Sequence, residues 1–240
     1  MSRHRFHKEG LDKSIVILDG DEAAHARRVL RLSEGDRVDL FDGAGTTAEG
    51  VVIKAKKTLE VQVEQTKTSQ PLTPRIDVAA AIPKGDRADT MIEKTSELAA
   101  TRFIPMLTDR SVVKPRDNKI ERMRRVALES AKQCKRAWLM EIDALQTFPD
   151  VLAQPDYDLV LFTDTPTTTT DTWPTCTGVP DAALTADSIL VLVGPEGGWT
   201  DQERQVAHEH NCTRWQFAAN VLRVETAAIA AVSILRNACR

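Results

Sequence analysis

Long apolar runs are missing from this 240-residue chain. No stretch approaches roughly 18 consecutive apolar residues, so no transmembrane helix is expected. The first residues, Met1 to Leu11, are polar and basic and hold no apolar h-region, so no secretory signal is expected either. Cysteine is scarce: Cys134, Cys176, Cys212 and Cys239 are widely spaced, with no Cys-x-x-Cys pair. That excludes the usual zinc and disulfide frameworks and suggests a reducing cytosol. His208 and His210 are two apart on a predicted helix and point to different faces, while His4, His7 and His25 have no ligand-like partners, so no metal site is expected. No internal repeat is present. Neither Gly-x-Gly-x-x-Gly nor the P-loop pattern occurs, which removes dinucleotide and nucleoside-triphosphate readings.

Hydrophobic residues make up 42% and charged residues 28% of the chain, the balance of a soluble globular protein with room for one large or two ordinary domains. The formal charge of -3 conceals an uneven distribution. Residues 1–74 are balanced, and residues 151–240 carry five basic and eleven acidic side chains. Between Arg110 and Arg136 lie ten basic residues and three acidic ones. Such a segment suits an RNA-facing patch, although a solvated helix face with acidic neighbours is the commoner arrangement.

Residues 1–70 read as a small β-rich unit. Ile15–Leu18, Arg37–Phe41, Ala48–Lys54 and Thr58–Glu64 have strand character, and Asp42-Gly43-Ala44-Gly45 is a hairpin-type turn. A helix is expected over Asp21–Leu32 with Asp21 as its cap. Short strands joined by tight turns suggest a small barrel. The polar stretch Thr66–Pro74, with Pro71 and Pro74, is the best domain boundary. Beyond it, residues 75–240 alternate strands and helices, the pattern of an α/β domain with a mostly parallel sheet. Ile76–Ile82, Phe103–Leu107, Leu159–Thr163 and Ile189–Val193 read as buried strands, the first as a continuous apolar one. Gly85–Ala100 and Asn118–Arg136 read as amphipathic helices. The threonine-rich stretch Thr163–Thr177 reads as a loop.

Three segments suggest chemistry. In the first, a buried strand runs into Gly194-Pro195-Glu196-Gly197-Gly198, and Thr200 with Glu203 forms a capping box that opens a helix. The carboxyl end of a parallel strand is where α/β sheets place ligands, and three glycines let a flat ligand approach the backbone. In the second, Phe217 to Ala227 leads into a C-terminal helix apolar on nearly every side, expected to be buried all round. Arg223 and Glu225 stand at its entrance. A carboxylate there is favoured by the helix N-terminus, whereas a guanidinium calls for an anion or an electron-rich base. The third, Pro83-Lys84-Gly85-Asp86-Arg87, is a weaker candidate for touching a polyanion.

On these residues the chain resembles the bacterial 16S rRNA uridine-N3 methyltransferases (RsmE type) of the SPOUT superfamily. The likeness runs over almost the full length: His25–Leu32 with Gly35-Asp36, Phe41-Asp42-Gly43, Pro83-Lys84-Gly85, Glu93-Lys94, Glu97-Leu98, Pro105 and Thr108-Asp109-Arg110-Ser111. It continues through Gln133 and Arg136 to its two specific motifs, Gly194–Gly198 and Leu222-Arg223-Val224-Glu225-Thr226-Ala227. Departures exist: Phe217-Ala218 and Asn220 stand where the family has Leu-Gly and an arginine, Ala99 replaces a glycine, and Met140 replaces a proline.

The resemblance implies an N-terminal PUA-like β-barrel over 1–70 for RNA. It implies a SPOUT-type domain over 75–240 whose deep trefoil knot binds S-adenosyl-L-methionine and pairs two protomers into a homodimer. The cofactor contacts it implies are Leu192, Val193, Gly194, Pro195, Glu196, Gly197, Gly198, Phe217, Ala218, Asn220, Val221, Leu222 and Thr226. Arg223, Glu225 and Arg136 are the implied catalytic groups. Arg5, Arg27, Lys84, Arg87, Arg110, Arg122, Arg125 and Gln133 are the candidates for meeting the 16S rRNA of the small ribosomal subunit, in the cytoplasm, with neither metal nor membrane. Two rival readings stay open: a related ribose 2′-O-methyltransferase, and a non-catalytic RNA-binding assembly factor whose glycine loop is only a turn.

Overall fold

The computed structural model describes residues 3–154, 157–165 and 173–239. It divides into two compact units, Met1–Pro71 with Ala131–Leu139, and Leu72–Ser130 with Met140–Arg240. The sequence carried no signal that the segment after Ser130 groups with the N-terminal residues.

The N-terminal unit holds β1 (His4–His7), β2 (Ile15–Leu18), α1 (Gly20–Arg28), β3 (Arg37–Phe41), β4 (Thr46–Ala55) and β5 (Leu59–Thr68). Its sheet runs β1-β3-β4-β5-β2. Among the described residues no ladder joins β1 to β2, each only four residues long, so the pairings do not close the expected ring. Phe6, Val16, Leu18, Val38, Leu40, Val52, Leu59 and Val61 fill the core beneath α1. Asp19, not Asp21, is the N-cap of α1, and the helix stops at Arg28 rather than Leu32, with Arg31 in a left-handed conformation (φ 54°). The Asp42–Gly45 turn joins β3 to β4 as expected, and Trp138 closes over it: a Cβ on Gly45 would sit 2.6 Å from the indole.

The second unit holds β6 (Arg75–Ala81), α2 (Arg87–Glu97), β7 (Arg102–Leu107), most of α3 (Asp117–Gln133), β8 (Glu141–Ile142), β9 (Gln146–Thr147), α4 (Phe148–Leu152), β10 (Leu159–Thr163), β11 (Thr175–Cys176), β12 (Ser188–Val193), α5 (Asp201–Glu209), β13 (Thr213–Trp215) and α6 (Val224–Ala238). The sheet is parallel throughout, ordered β11-β13-β10-β12-β6-β7-β8 with β9 also beside β7. Residues 166–172 of the threonine-rich stretch lie outside the described residues; at its ends, Thr163 finishes β10 and Thr175–Cys176 forms β11.

Strand side chains alternate between two cores. Ile76, Val78, Ala80, Phe103, Leu161, Ile189 and Val191 face α2, α3 and α6. Ala79, Ile104, Met106, Phe162, Leu190 and Leu192 face α4, α5 and Trp199. Each fully buried aliphatic or aromatic side chain contributes about 1.5–3 kcal/mol, which is why the central strands read as unbroken apolar runs.

Two expectations are corrected. β6 is not wholly apolar: Asp77 is fully buried in it, accepting from Arg102 Nε (2.9 Å) and Tyr157 Oη (2.7 Å) with Arg75 3.2 Å away. A buried carboxylate requires such partners. Helix α6 is not buried all round. Val224, Ala228, Ala231, Val232 and Leu235 form its covered stripe, whereas Ala227, Ile229, Ala230 and Ile234 are only half-buried and Thr226 and Ser233 are exposed. Ala227 and Ile234 pack at the margin of that core, and the helical period turns Thr226, Ile229, Ala230 and Ser233 away from it.

Candidate functional site

β12 delivers the chain to Gly194, and the loop that follows is held at several points by buried or hydrogen-bonded neighbours. A Cβ on Gly194 would lie 2.7 Å from Cε2 of Trp199, so this glycine exists to admit the indole. Trp199 is buried, donates from Nε1 to the Thr163 carbonyl (2.8 Å), and stacks at 4.4 Å on Phe162 and 5.2 Å on Phe148. Pro195–Gly198 is a turn closed by Gly198 N–H to the Pro195 carbonyl (2.9 Å), and Gly198 takes φ 69°. Gly197 lies against Arg110, whose Nη1 donates to the carbonyls of Gly197 (2.9 Å) and Trp199 (3.3 Å). Arg204 reaches the Trp199 carbonyl from the other side (2.9 Å). The capping box of α5 forms as expected, and Glu203 uses its second oxygen to accept from Asp109 N–H (3.0 Å). On their Cβ sides the first two glycines admit protein side chains, Trp199 and Arg110.

The loop forms one wall of a cleft of about 280 Å³ at the carboxyl ends of β10, β12 and β13, the position at which parallel sheets expose ligand sites. The opposite wall is the segment after β13. Of the predicted cofactor contacts, Val193, Gly194, Pro195, Glu196, Gly197, Gly198, Phe217, Ala218, Asn220, Val221 and Leu222 all line it. Two do not. Leu192 points into the core on the α4–α5 face because side chains alternate along β12, and Thr226 lies exposed on the side of α6 turned away. Thr163, Asp164, Thr165, Trp215, Gln216, Val224 and Ala227 also line the cleft and were missed. The available signal was position: Thr163 to Thr165 and Gln216 directly follow strands that end at the same edge.

Asp164 shows what that edge demands. Its carboxylate is nearly inaccessible and accepts from Arg204 Nε (2.9 Å) and Nη2 (3.2 Å), with Arg214 Nη2 at 3.0 Å. Pairing with Asp164 raises the Arg204 pKa above its ordinary value. Phe217 leans on Trp215 with ring centroids 4.4 Å apart, giving the cleft an aromatic floor.

The predicted charged groups are distributed differently. Arg223 is the N-cap residue of α6; its guanidinium is exposed and makes no hydrogen bond or ion pair among the described residues. Glu225 is buried, does not line the cleft, and has Arg87 Nη1 4.0 Å from Oε2. Arg87 also meets Glu196 at 3.4 Å. Arg122 is paired with Asp89 and lies 3.8 Å from Asp86, while Lys84 and Arg125 are exposed. Gln133 and Arg136 belong to the N-terminal unit and are not among the cleft residues. In that unit Arg27 donates to the Lys56 carbonyl (2.9 Å), and Arg5 lies 4.4 Å over the Phe41 ring with its pKa pushed down by burial. Part of the positive segment between Arg110 and Arg136 is therefore neutralised internally. Among the described residues no group of His, Cys, Asp and Glu side chains could hold a metal ion, and no helix is long and apolar enough to cross a membrane.

A family model for an RNA methyltransferase domain matches residues 69–236. The chain belongs to that RNA methyltransferase family. A second model, an RNA methyltransferase PUA domain, matches residues 18–64 of the same methyltransferase. The ribosomal RNA small subunit methyltransferase E of Synechocystis is 31% identical over 94% of this chain and 74% of its own length. That of Bacillus subtilis is 28% identical over 91% of this chain and 88% of its own. The fold is shared with a ribosomal RNA small subunit methyltransferase E from Neisseria gonorrhoeae bound to S-adenosyl methionine (24% identity, TM-score 0.85, 98% of both chains).

Proposed function

We propose that this protein transfers the methyl group of S-adenosyl-L-methionine to N3 of a specific uridine in the 16S rRNA of the small ribosomal subunit, in the cytoplasm. The observation that carries the reading is the cleft itself: Gly194–Gly198 and Phe217–Leu222, well separated along the chain, enclose one concavity at the carboxyl edge of the sheet. Its lining suits a nucleoside with an amino-acid tail. Trp215, Phe217, Leu222 and Val224 offer apolar surface, and Thr163, Gln216, Asn220 and the loop backbone offer polar groups. When bound, S-adenosylmethionine supplies an electrophilic methyl on a sulfonium that departs as a neutral thioether.

The rest of the chemistry falls to the chain. Uridine N3 carries a proton at neutral pH and is then a poor nucleophile, so the site has to ease its loss and steady the charge that develops on the ring oxygens. Arg223 takes that role, because its guanidinium is uncommitted and its neighbours Leu222 and Val224 line the cleft. Arg136 is the second candidate for it. Of the two roles open to Glu225, taking the proton or orienting an arginine, its burial outside the cleft lining and its place beside Arg87 favour the second. The N-terminal residues 1–70 serve as the PUA-like RNA-binding domain and 75–240 as the catalytic one. The C-terminal strand and helix thread the knot, and the half-buried side of α6 at Ile229, Ala230 and Ile234 pairs two protomers.

Incubating small subunits that lack the modification with labelled methyl donor, then mapping the label, tests this. Label on a uridine base at N3 is expected; a ribose methyl would favour the 2′-O reading, and no calorimetric heat with S-adenosylmethionine would favour a non-catalytic binder. Arg223→Ala should bind the donor normally and lose most turnover, and unchanged methylation by that variant would remove Arg223 from the mechanism.

A further inference from the structure

On the reading of the cleft as a methyl-donor site, we propose that Arg87 is a positioning residue that locks the two walls of the cleft together, and not a phosphate contact. It stands at the start of α2, where Nη2 is 3.4 Å from Glu196 Oε1 and Nη1 is 4.0 Å from Glu225 Oε2. Glu196 lines the cleft from the glycine loop. Glu225 sits in the first turn of α6 between Val224 and Ala227, which line it from the other side. One guanidinium therefore spans two carboxylates that belong to opposite walls.

The environment of Glu225 makes the link matter. Its side chain is only 10% exposed, and Oε2 accepts no hydrogen bond. The compensation for that buried charge is Arg87 and the N-terminal end of α6. Arg87 is itself about two-thirds covered, and its Nε is 3.4 Å from the Lys84 carbonyl, which fixes the direction of the fork. A planar guanidinium offers two separate nitrogens in a fixed fork, one to each carboxylate, whereas a lysine ammonium has to serve both from a single nitrogen. The loop has two further arginine tethers, but both hold backbone: Arg110 the carbonyls of Gly197 and Trp199, and Arg204 that of Trp199. Among the described residues, Arg87 is the arginine paired with the Glu196 side chain.

The test compares Arg87→Ala, Arg87→Lys and Glu196→Gln in the full chain. The measurements are calorimetry with S-adenosylmethionine, KM for the donor against kcat, and RNA affinity as a function of salt. Arg87→Ala should weaken donor binding about tenfold, as expected when a partly exposed ion-pair network that orders a loop is lost. The slope of log affinity for RNA against log salt should not change. Arg87→Lys should recover part of the loss, and Glu196→Gln should cost less in the Arg87→Ala background than in the unmodified protein. The opposite pattern overturns the proposal: donor KM unchanged, with the salt slope shallower by about 0.7–0.9, the signature of one lost phosphate contact. So does strict additivity of the two substitutions. If Arg87→Ala fails to fold, the lysine variant and Glu196→Gln carry the same comparison. Absence of donor binding by the unmodified protein would instead refute the methyl-donor reading itself.

Discussion

Replacing Gly194 by alanine should damage the cleft from beneath. The added Cβ would lie 2.7, 2.9 and 3.1 Å from Cε2, Nε1 and Cδ2 of Trp199. Carbon atoms in contact prefer about 3.5 Å or more, so the ring has to withdraw by roughly 0.8 Å. It has nowhere to go, being 2% exposed and wedged against Phe162 and Phe148. A shift of that size also stretches the 2.8 Å bond from Nε1 to the Thr163 carbonyl. Overpacking costs about 1–3 kcal/mol and a weakened buried hydrogen bond about 1 kcal/mol more. For a chain of this length that corresponds to a fall in Tm of roughly 5–15 °C. Thermal unfolding measures the loss, and calorimetry with S-adenosylmethionine measures the accompanying drop in affinity as Val193 to Trp199 shift. Gly198→Ala is the control: its Cβ meets nothing within 4 Å, and its cost is the left-handed backbone alone, about 1–2 kcal/mol. If Gly194→Ala melts with the unmodified protein and binds donor equally well, the packing account of the loop is wrong.

Asp77→Asn would remove the fully buried carboxylate that Arg102 and Tyr157 donate to, while Arg102 keeps Asp143 and Arg75 is half exposed, so it should cost about 1–3 kcal/mol, read from the midpoint of urea unfolding; no measurable shift would contradict the network. Asp158 accepts from the Ser188 hydroxyl (2.8 Å) and from the N–H groups of Ser188 (2.8 Å) and Asp187 (3.0 Å), which holds its pKa below the ordinary carboxylate value. Its stabilisation is therefore present above the unfolded pKa of about 3.9 and disappears as pH falls through the lower folded value. Asp158→Asn should flatten that acid-side slope in unfolding measured between about pH 2 and 5, and an unaltered slope would discount the contribution. Burial pushes the Cys212 thiol up to about 12, so it should resist alkylation at pH 8 in the native protein while the partly exposed Cys134 and Cys176 react; peptide mass spectrometry showing Cys212 labelled first would oppose this.

The alternation of apolar strands with amphipathic helices was enough to read a parallel α/β unit, because burial on both faces of a sheet leaves a continuous apolar run. The capping box at Thr200 and Glu203 and the turn at Asp42–Gly45 were equally legible, since their geometry depends on residues a few positions apart. What the sequence could not reveal depends on distant partners. The apolar character of α6 is visible in its residues, but which side is covered follows from α2 and the sheet. Asp77 looks out of place until Arg102 and Tyr157 are brought beside it. The glycines at 194 and 197 suggest a ligand in the sequence, and only tertiary packing shows that their Cβ sides are also occupied, by Trp199 and Arg110. Arg87 and Arg110 read as free cations in a one-dimensional charge count, and only the fold sets them against Glu196, Glu225 and the loop carbonyls. Local geometry is encoded within a few residues, whereas the partners of a charge and the occupant of a cavity are settled only when strands far apart in the chain end at the same edge.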